Sequence, residues 1–481
     1  MKSLLGRLFR APVLSPASHL TARDPVRCAE LRKRGNNLLA QGMLDEAARA
    51  YRAAVVADPQ DAASFVNLAY VLGQQKNWPE AEQALRQALR NDAGQCDAHF
   101  MLGRLAFDRG DVASATSHMR EVLRIQPGFD LTSYFSGDDS SEKAQALCRI
   151  LLSLDPDNAR VHRSLGMSSL LLGDYEQGWR EYQWRFRIQV PGEVHKAFAQ
   201  PIWLGDSPIG GKTILLHWEQ GYGDTLQFCR YVREVAALGA TVVLQVQRGL
   251  GGLLARLEGA SMVLEEGQTL PPFDVYCPLL SLPLALKQFS GEMVSGGQAY
   301  LQADPARLAH WRRRLDAMGL PPGPRVGVVW SGNWSNVPGR KRSVPLAQFA
   351  TALPPGGKVV GLQTEVWADD AALLATERRI VFAGGELTTF AETAALIAGL
   401  DLVITIDTSV AHLAGAMGKP VWVLLHRAAD WRWLLERDDS PWYPGARLFR
   451  QQVADDWRHP LEAVRTELAA LLQHDPSAPA T

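Results

Sequence analysis

Three short stretches of the chain carry residue types that could bind and move a charged group. The first, Asp401–Leu425, reads DLVITIDTSVAHLAGAMGKPVWVLL. Leu402–Ile406 is an apolar run of strand length, and Val410–Met417 is a small-residue helix. Gly418 suits the left-handed position past a helix end, Pro420 prevents continuation, and Val421–Leu425 is a second buried strand. Between strand and helix lie Asp407, Thr408 and Ser409. The first N–H groups of a helix lack partners and attract anions, and in open parallel sheets ligands gather at the strands' carboxyl ends. Two hydroxyls at such a turn make it a candidate phosphate-binding corner, although Asp, Thr and Ser are also ordinary helix caps. Asp407 repels phosphate, so it is assigned to ribose hydroxyls or to orienting the turn. His412, one turn into the helix, belongs to this corner as a packing or capping residue more readily than as a catalyst.

The second stretch, Glu219-Gln220-Gly221-Tyr222-Gly223-Asp224, follows the strand-like TILLHW (213–218). Gly221 and Gly223 let a ligand approach the backbone. Asp224 stands at a helix start, where it is either a cap or a general base. The second role needs a pKa raised by burial. Glu219 competes for the same role. The third stretch follows RVGVVWSG (325–332) and holds Ser331 and the cluster Arg340-Lys341-Arg342-Ser343. Cations at a strand's carboxyl end would offset the charge of a diphosphate. Gln363, after KVVGLQ (358–363), would reach a base or ribose. No His, Cys and carboxylate set has metal-ligand spacing and no G-x-x-x-x-G-K-[ST] loop occurs, so neither a metal nor a separate cofactor is expected.

The elements that position these residues alternate between strands and helices. TILLHW, TVVLQVQ (241–247), MVLEE and FDVYCPLL make one strand series. After a helical connector and the boundary Pro321-Pro322-Gly323-Pro324 comes another: RVGVVWSG, KVVGLQ, RIVFAG (379–384), LVITID and VWVLL. Thr389-Phe390-Ala391-Glu392 is a capping-box pattern. The aromatic stretch 430–451 is expected to cover the cleft or cross back to the first half.

The first third is built differently. Gly35, Ala69 and Gly103 recur every 34 residues, as do Ala47, Ala81 and Ala115, and Tyr51, Leu85 and Met119. Small residues at fixed points let paired helices approach, and such units bury their faces only by stacking. This spacing matches the tetratricopeptide repeat. Residues 128–140 interrupt it. It resumes at Ala144, Cys148 and Pro156, then at Leu165, Gly166, Gly173, Gly178 and Tyr182. These solenoids offer a groove to extended peptides or partner proteins; buttressing or self-association is the alternative.

A chain of 481 residues exceeds what one core supports, about 250–300 residues. A net charge of −1 gives no bulk attraction to nucleic acid or anionic membrane. Five scattered cysteines without a CxxC pair point to a reducing, cytoplasmic setting. No apolar run reaches the roughly 18–20 residues of a membrane span. The basic, apolar start MKSLLGRLFR leaves a peripheral surface-binding helix as an alternative to a frayed terminus.

Together these residues resemble the glycosyltransferases of the ADP-heptose heptosyltransferase family (family 9), whose D-[TS]-x-x-x-H-L-x-x-A-x-G-x-P signature is matched by Asp407, Thr408, His412, Leu413, Ala416, Gly418 and Pro420, and whose G-D loop is matched by Gly223 and Asp224. Where the family has aspartate-threonine-glycine, this chain has Asp407-Thr408-Ser409. The resemblance implies a GT-B domain of two Rossmann-like halves, a nucleotide-sugar donor held by Thr408 and a basic residue that is either Lys341 or Arg342, and Asp224 as base. Repeats ahead of such a domain are similar to bacterial tetratricopeptide-repeat glycosyltransferases. The expected class is α + α/β. The expected layout is an N-terminal segment 1–27, repeat α-solenoid 28–187, first half 188–304 on the acceptor side, connector 305–324, second half 325–450 on the donor side, and a terminal helix and tail 451–481. The expected activity is inverting, metal-independent hexosyl or heptosyl transfer to an acceptor hydroxyl, with protein or acceptor recruited by the repeats. The alternatives are a non-catalytic repeat scaffold with a degenerate GT-B domain and a protein O-glycosyltransferase acting on peptide in the repeat groove.

Overall fold

The computed structural model describes residues 23–127, 129, 141–189, 196–290, 299–333 and 337–473. The N-terminal segment 1–22 and most of the insert at 128–140 lie outside the described residues. The chain divides into two compact units, Met1–Phe129 with Ile150–Pro156, and Asp130–Arg149 with Asp157–Thr481.

The first unit is helical: α1 (Pro25–Ala40), α2 (Leu44–Ala57), α3 (Ala62–Gln74), α4 (Trp78–Asn91), α5 (Cys96–Asp108) and α6 (Val112–Ile125). Helices pair as the repeat demands. A Cβ on Gly35 would fall 2.5 Å from the ring of Tyr51, so only glycine admits that side chain at this crossing. Asp24, Asp61 and Asp111 cap α1, α3 and α6 by accepting backbone N–H bonds of 2.9–3.1 Å. Helix α7 (Ser141–Leu154) is shared between the two units.

The second unit opens with a helical hairpin, α8 (Ala159–Leu171) and α9 (Tyr175–Tyr182), whose residue spacing continues the repeat but which packs with the α/β part. Two parallel sheets follow. The first holds β1 (Thr213–His217), β2 (Thr241–Val246), β3 (Ala260–Glu265) and β4 (Val275–Pro278) in the order β3-β2-β1-β4. The second holds β5 (Val326–Val329), β6 (Val359–Gly361), β7 (Ile380–Phe382), β8 (Leu402–Ile406), β9 (Val421–Leu425) and β10 (Ala446–Arg450) in the order β10-β9-β8-β5-β6-β7. Every residue of β8 is buried, as a strand covered on both faces requires. Each sheet reverses its winding once, beside β1 in the first and beside β5 in the second, and such reversals open crevices at the strands' carboxyl ends.

Three local expectations need correction. Ala446–Arg450 is a strand pairing with β9, so only the aromatic part of 430–451 is a crossing segment. The basic cluster ends a short helix, Val337–Arg342, and is not an open loop. Thr389 does cap its helix, accepting from the Glu392 N–H at 3.3 Å. The Glu392 carboxylate, however, accepts from the Trp311 indole at 2.7 Å and pairs with Arg307, which pins the connector helix Pro305–Asp316.

The aromatic crossing segment does reach the first half. Trp431 meets Trp179 of α9 edge-on at 5.3 Å, and Trp442 meets Phe228 at 5.9 Å; all four rings are buried. The terminal helix Arg458–Gln473 turns Leu461, Val464 and Leu468 into the second half's core beside Val326 and Phe349.

Candidate functional site

The first crevice leads from β1 into helix α10 (Tyr222–Phe228), and Asp224 lies in its opening turn. Its Oδ2 accepts the Gly221 N–H at 2.7 Å, the cap role read from sequence. Its Oδ1 pairs with Arg432 Nη2 from the crossing segment. Burial raises the Asp224 carboxyl above the usual range; the Arg432 charge works against this, and the nearby Asp430 and Glu219 carboxylates reinforce it. A carboxylate so placed is a stronger base than one in water.

Glu219 does not face the crevice. Both its oxygens accept from Arg185, at 3.0 Å each, and Oε2 also takes the Leu280 N–H at 3.3 Å. Both side chains of this pair are fully buried, and Ser281 Oγ accepts a further Arg185 bond at 2.8 Å. Glu219 is a structural anchor, because a buried carboxylate is stable only with its partners attached. It is therefore no competitor for the base role.

In the second crevice, Thr408 caps the eight-residue helix Ser409–Ala416. Its Oγ1 lies 3.3 Å from the Val410 N–H and 3.1 Å from Thr405 Oγ1. Gly418 takes a φ of +68° past the helix end, as the sequence demands. Asp407 is buried and receives Arg342 Nη1 at 3.3 Å. Burial pushes its carboxyl up, but the charges of Arg342 and Arg432 outweigh this and leave it below the ordinary value. It is therefore an anion already matched to a cation. Lys341 is exposed. Ser331 Oγ is buried without a hydrogen-bond partner among the described residues.

Gln363 is corrected. Its amide donates to Ser331 O and Glu365 O, each at 2.9 Å, and its oxygen accepts from Trp330 N and Ser331 N at 3.3 and 3.1 Å. With both N–H groups and its oxygen engaged, it clamps the loop after β5 and has no group left for a base or ribose. His412 is a packing residue, as read. Its Nδ1 is 2.9 Å from the Tyr443 hydroxyl and its ring stacks on Trp433 at 5.5 Å. Burial lowers its pKa to about 3, Asp407 opposing and the surrounding arginines adding, so the ring is neutral.

The two helix starts touch. A Cβ on Gly223 would lie 2.6 Å from His412 Cδ2, so the glycine beside Asp224 rests on the histidine one turn beyond Thr408. Sequence reasoning brought Asp224 and Thr408 to one cleft through their strand ends. It missed Arg432, which is buried and bonded to Asp224, to Gln227 Oε1 at 2.7 Å and to Asp430 Oδ1 at 2.7 Å. The available signal was a cation flanked by two tryptophans, Trp431-Arg432-Trp433, in a stretch already expected to cross the cleft.

Comparison with known proteins agrees with this division of the chain. The tetratricopeptide repeat description matches residues 32–95 and 68–128, and that of glycosyltransferase family 9 (heptosyltransferase) matches residues 372–430. Protein FlbA of Caulobacter vibrioides is 27% identical over 452 residues, 86% of this chain and 74% of that protein. Among solved structures, a family 9 glycosyl transferase from Veillonella parvula covers 55% of this chain and 97% of its own at 10% identity and a TM-score of 0.42. The E. coli ADP-heptose lipopolysaccharide heptosyltransferase II covers 54% and 98% at 16% identity and a TM-score of 0.39. The first repeat domain of Spaghetti (RPAP3), bound to an HSP90 peptide, covers 28% and 98% at 22% identity and a TM-score of 0.23. Among the described residues no helix is long and apolar enough to cross a membrane. The chain thus carries N-terminal tetratricopeptide repeats followed by an α/β domain of the glycosyltransferase family 9, heptosyltransferase-like kind.

Proposed function

We propose that the protein is an inverting, metal-independent glycosyltransferase that moves a sugar from a nucleotide-diphosphate donor to an acceptor hydroxyl. The observation that carries this reading is the contact of Gly223 with His412, which joins a base-bearing turn from one half to an anion-binding turn from the other. Asp224 takes the acceptor's proton as the acceptor oxygen bonds to the anomeric carbon. The bond from that carbon to the diphosphate breaks, and its electron pair leaves with the diphosphate. The charge that develops meets the amides at the start of Ser409–Ala416, the Thr408 and Ser409 hydroxyls, Lys341 and Arg342. Asp407, paired with Arg342, keeps that cation in place at the edge of the site. The repeats recruit the protein or acceptor, a role supported by the tetratricopeptide repeat match over residues 32–95 and 68–128.

The test pairs binding with turnover. ADP, GDP or UDP should raise the melting temperature of wild type and of Asp224→Asn alike; a ligand at a hundred times its Kd adds about 2.7 kcal/mol. Asp224→Asn should lower sugar transfer by at least ~100-fold. Undiminished transfer by that variant removes Asp224 as base. No thermal response to any of the three at millimolar concentration favours a repeat scaffold with a degenerate transferase domain.

A further inference from the structure

Asp224 does not act alone in this fold: its partner arrives from a segment 208 residues further along the chain. Arg432 is 6% exposed and lies over the Trp431 ring at 4.2 Å. Its guanidinium divides its donors three ways. Nε bonds to Gln227 Oε1 on the helix that carries Asp224, Nη1 to Asp430 on its own segment, and Nη2 to Asp224 itself. Leu434 and Glu436, just beyond, hold positive φ values of 52° and 47°, a conformation that side-chain-bearing residues adopt at a cost. Trp433, just before Leu434, stacks on His412. The segment is thus held in a strained path that sets one cation against one carboxylate.

We infer that Arg432 is a positioning residue for the transfer reaction: supplied by the half that holds the donor, it aims the Asp224 carboxylate and keeps it ionised. This rests on the reading of Asp224 as base. The charged groups around the pair are few. Asp224 feels Arg432, Asp430 and Glu219, and Glu219 is already matched to Arg185. Arg432 feels Asp430, Asp224 and the Tyr182 hydroxyl. From the second half, Asp407 is matched to Arg342, and His412 is neutral. Without Arg432, burial and two neighbouring carboxylates would all favour the protonated Asp224, which cannot accept a proton. A fixed fork of donors also sets the orientation of the carboxylate: the Gly221 N–H holds Oδ2 and Arg432 holds Oδ1, so the lone pairs left on the two oxygens point in fixed directions.

The sign of the pH effect follows. A base works above its pKa, so transfer rises with pH through the Asp224 titration. Removing the cation raises that pKa and moves the rising limb to higher pH. Stability moves the other way. A carboxyl whose folded pKa exceeds its unfolded one favours the fold at low pH, and that advantage is lost as pH rises through the folded pKa. The loss is larger in the variant whose carboxyl is raised further.

Two measurements test this. In the first, nucleoside diphosphate release from a panel of ADP-, GDP- and UDP-sugars is followed against pH for wild type, Arg432→Met, Arg432→Lys and Asp224→Asn. The expected result is a rising limb shifted up by about one pH unit or more in Arg432→Met, with kcat lowered more than KM is raised and a partial return in Arg432→Lys. In the second, which needs no substrate, melting temperature is followed from pH 4 to 9. Arg432→Met should lose stability with rising pH more steeply than wild type, and adding Asp224→Asn should flatten it. Unmoved limbs and parallel melting curves overturn the inference while leaving the base in place. A wild type inert toward every donor, or an Asp224→Asn protein that turns over normally, overturns the base reading beneath it.

Discussion

The α/β domain contains the same topological feature twice, with opposite contents. Both sheets reverse their winding beside a central strand, the place where open parallel sheets form crevices. In the first half the polar groups at the strand ends are satisfied by the protein itself. Glu219 after β1 and Ser281 after β4 close on Arg185, and the whole set is buried. In the second half the corresponding place holds a buried Ser331 hydroxyl that has no partner among the described residues, a capped helix start and the exposed Lys341. At the first switch point the strand-end charge is matched internally, by a buried cation and anion. The second presents donors whose acceptor is not supplied by the described residues. Position at a switch point therefore does not by itself make a ligand site; it depends on whether the groups placed there satisfy one another.

This contrast can be broken at either end. The largest expected effect is at the first switch point. Arg185→Met leaves Glu219 buried without its cation and should cost about 3–5 kcal/mol in urea unfolding. Changing Glu219 to Gln in the same protein should recover most of it, and a single-variant loss below about 1 kcal/mol would show that the two are not an ion pair in solution. Next comes the junction between the crevices. Gly223→Val drives methyl groups into His412, which Tyr443 and Trp433 hold in place, and should cost about 1–3 kcal/mol. Loss of nucleoside diphosphate binding in isothermal titration should accompany it, because His412 lies in the helix that Thr408 caps; a variant with unaltered stability and binding would separate the two halves of the site. The smallest effect belongs to the open crevice. Ser331→Ala removes a buried hydroxyl without a partner among the described residues and should be neutral or stabilising by up to about 1 kcal/mol, while weakening nucleoside diphosphate affinity severalfold. A marked destabilisation would mean that the hydroxyl serves the fold and not a ligand.

What could be read from sequence follows from how local each feature is. The repeats were legible because one spacing recurs, and the strand-turn-helix corner at Asp407–Ser409 because apolar run, cap and Gly418 lie within one stretch. Position at a strand end located Asp224, Ser331 and Thr408 in the fold, but the same rule did not foresee the partners that engage Glu219 and Gln363. Strand-end position does not say which way a side chain turns. In both cases the deciding partner is far away in sequence: Arg185 lies 34 residues before Glu219, and Ser331 lies 32 before Gln363. Strand β10 was hidden for a different reason. Its ARLFR run has cations at both partly exposed positions, and as an edge strand it joins the sheet along β9 only. Arg432 was invisible because a pairing across 208 residues leaves no periodic or local trace.

The tryptophan-bearing strap has a bearing on how molecules get in and out. Trp431 and Trp442 belong to the second half by chain order but are rooted against Trp179 of α9 and Phe228 of the first half. Prying the halves apart would wet these rings, each carrying about 150–250 Å² of surface, at about 25 cal/mol per Å². For four rings that is on the order of 15–25 kcal/mol, beyond what thermal motion supplies during a catalytic cycle. Traffic to the cleft must therefore run through its mouth while the jaws stay hinged at this strap, with small sliding adjustments in place of a wide gape.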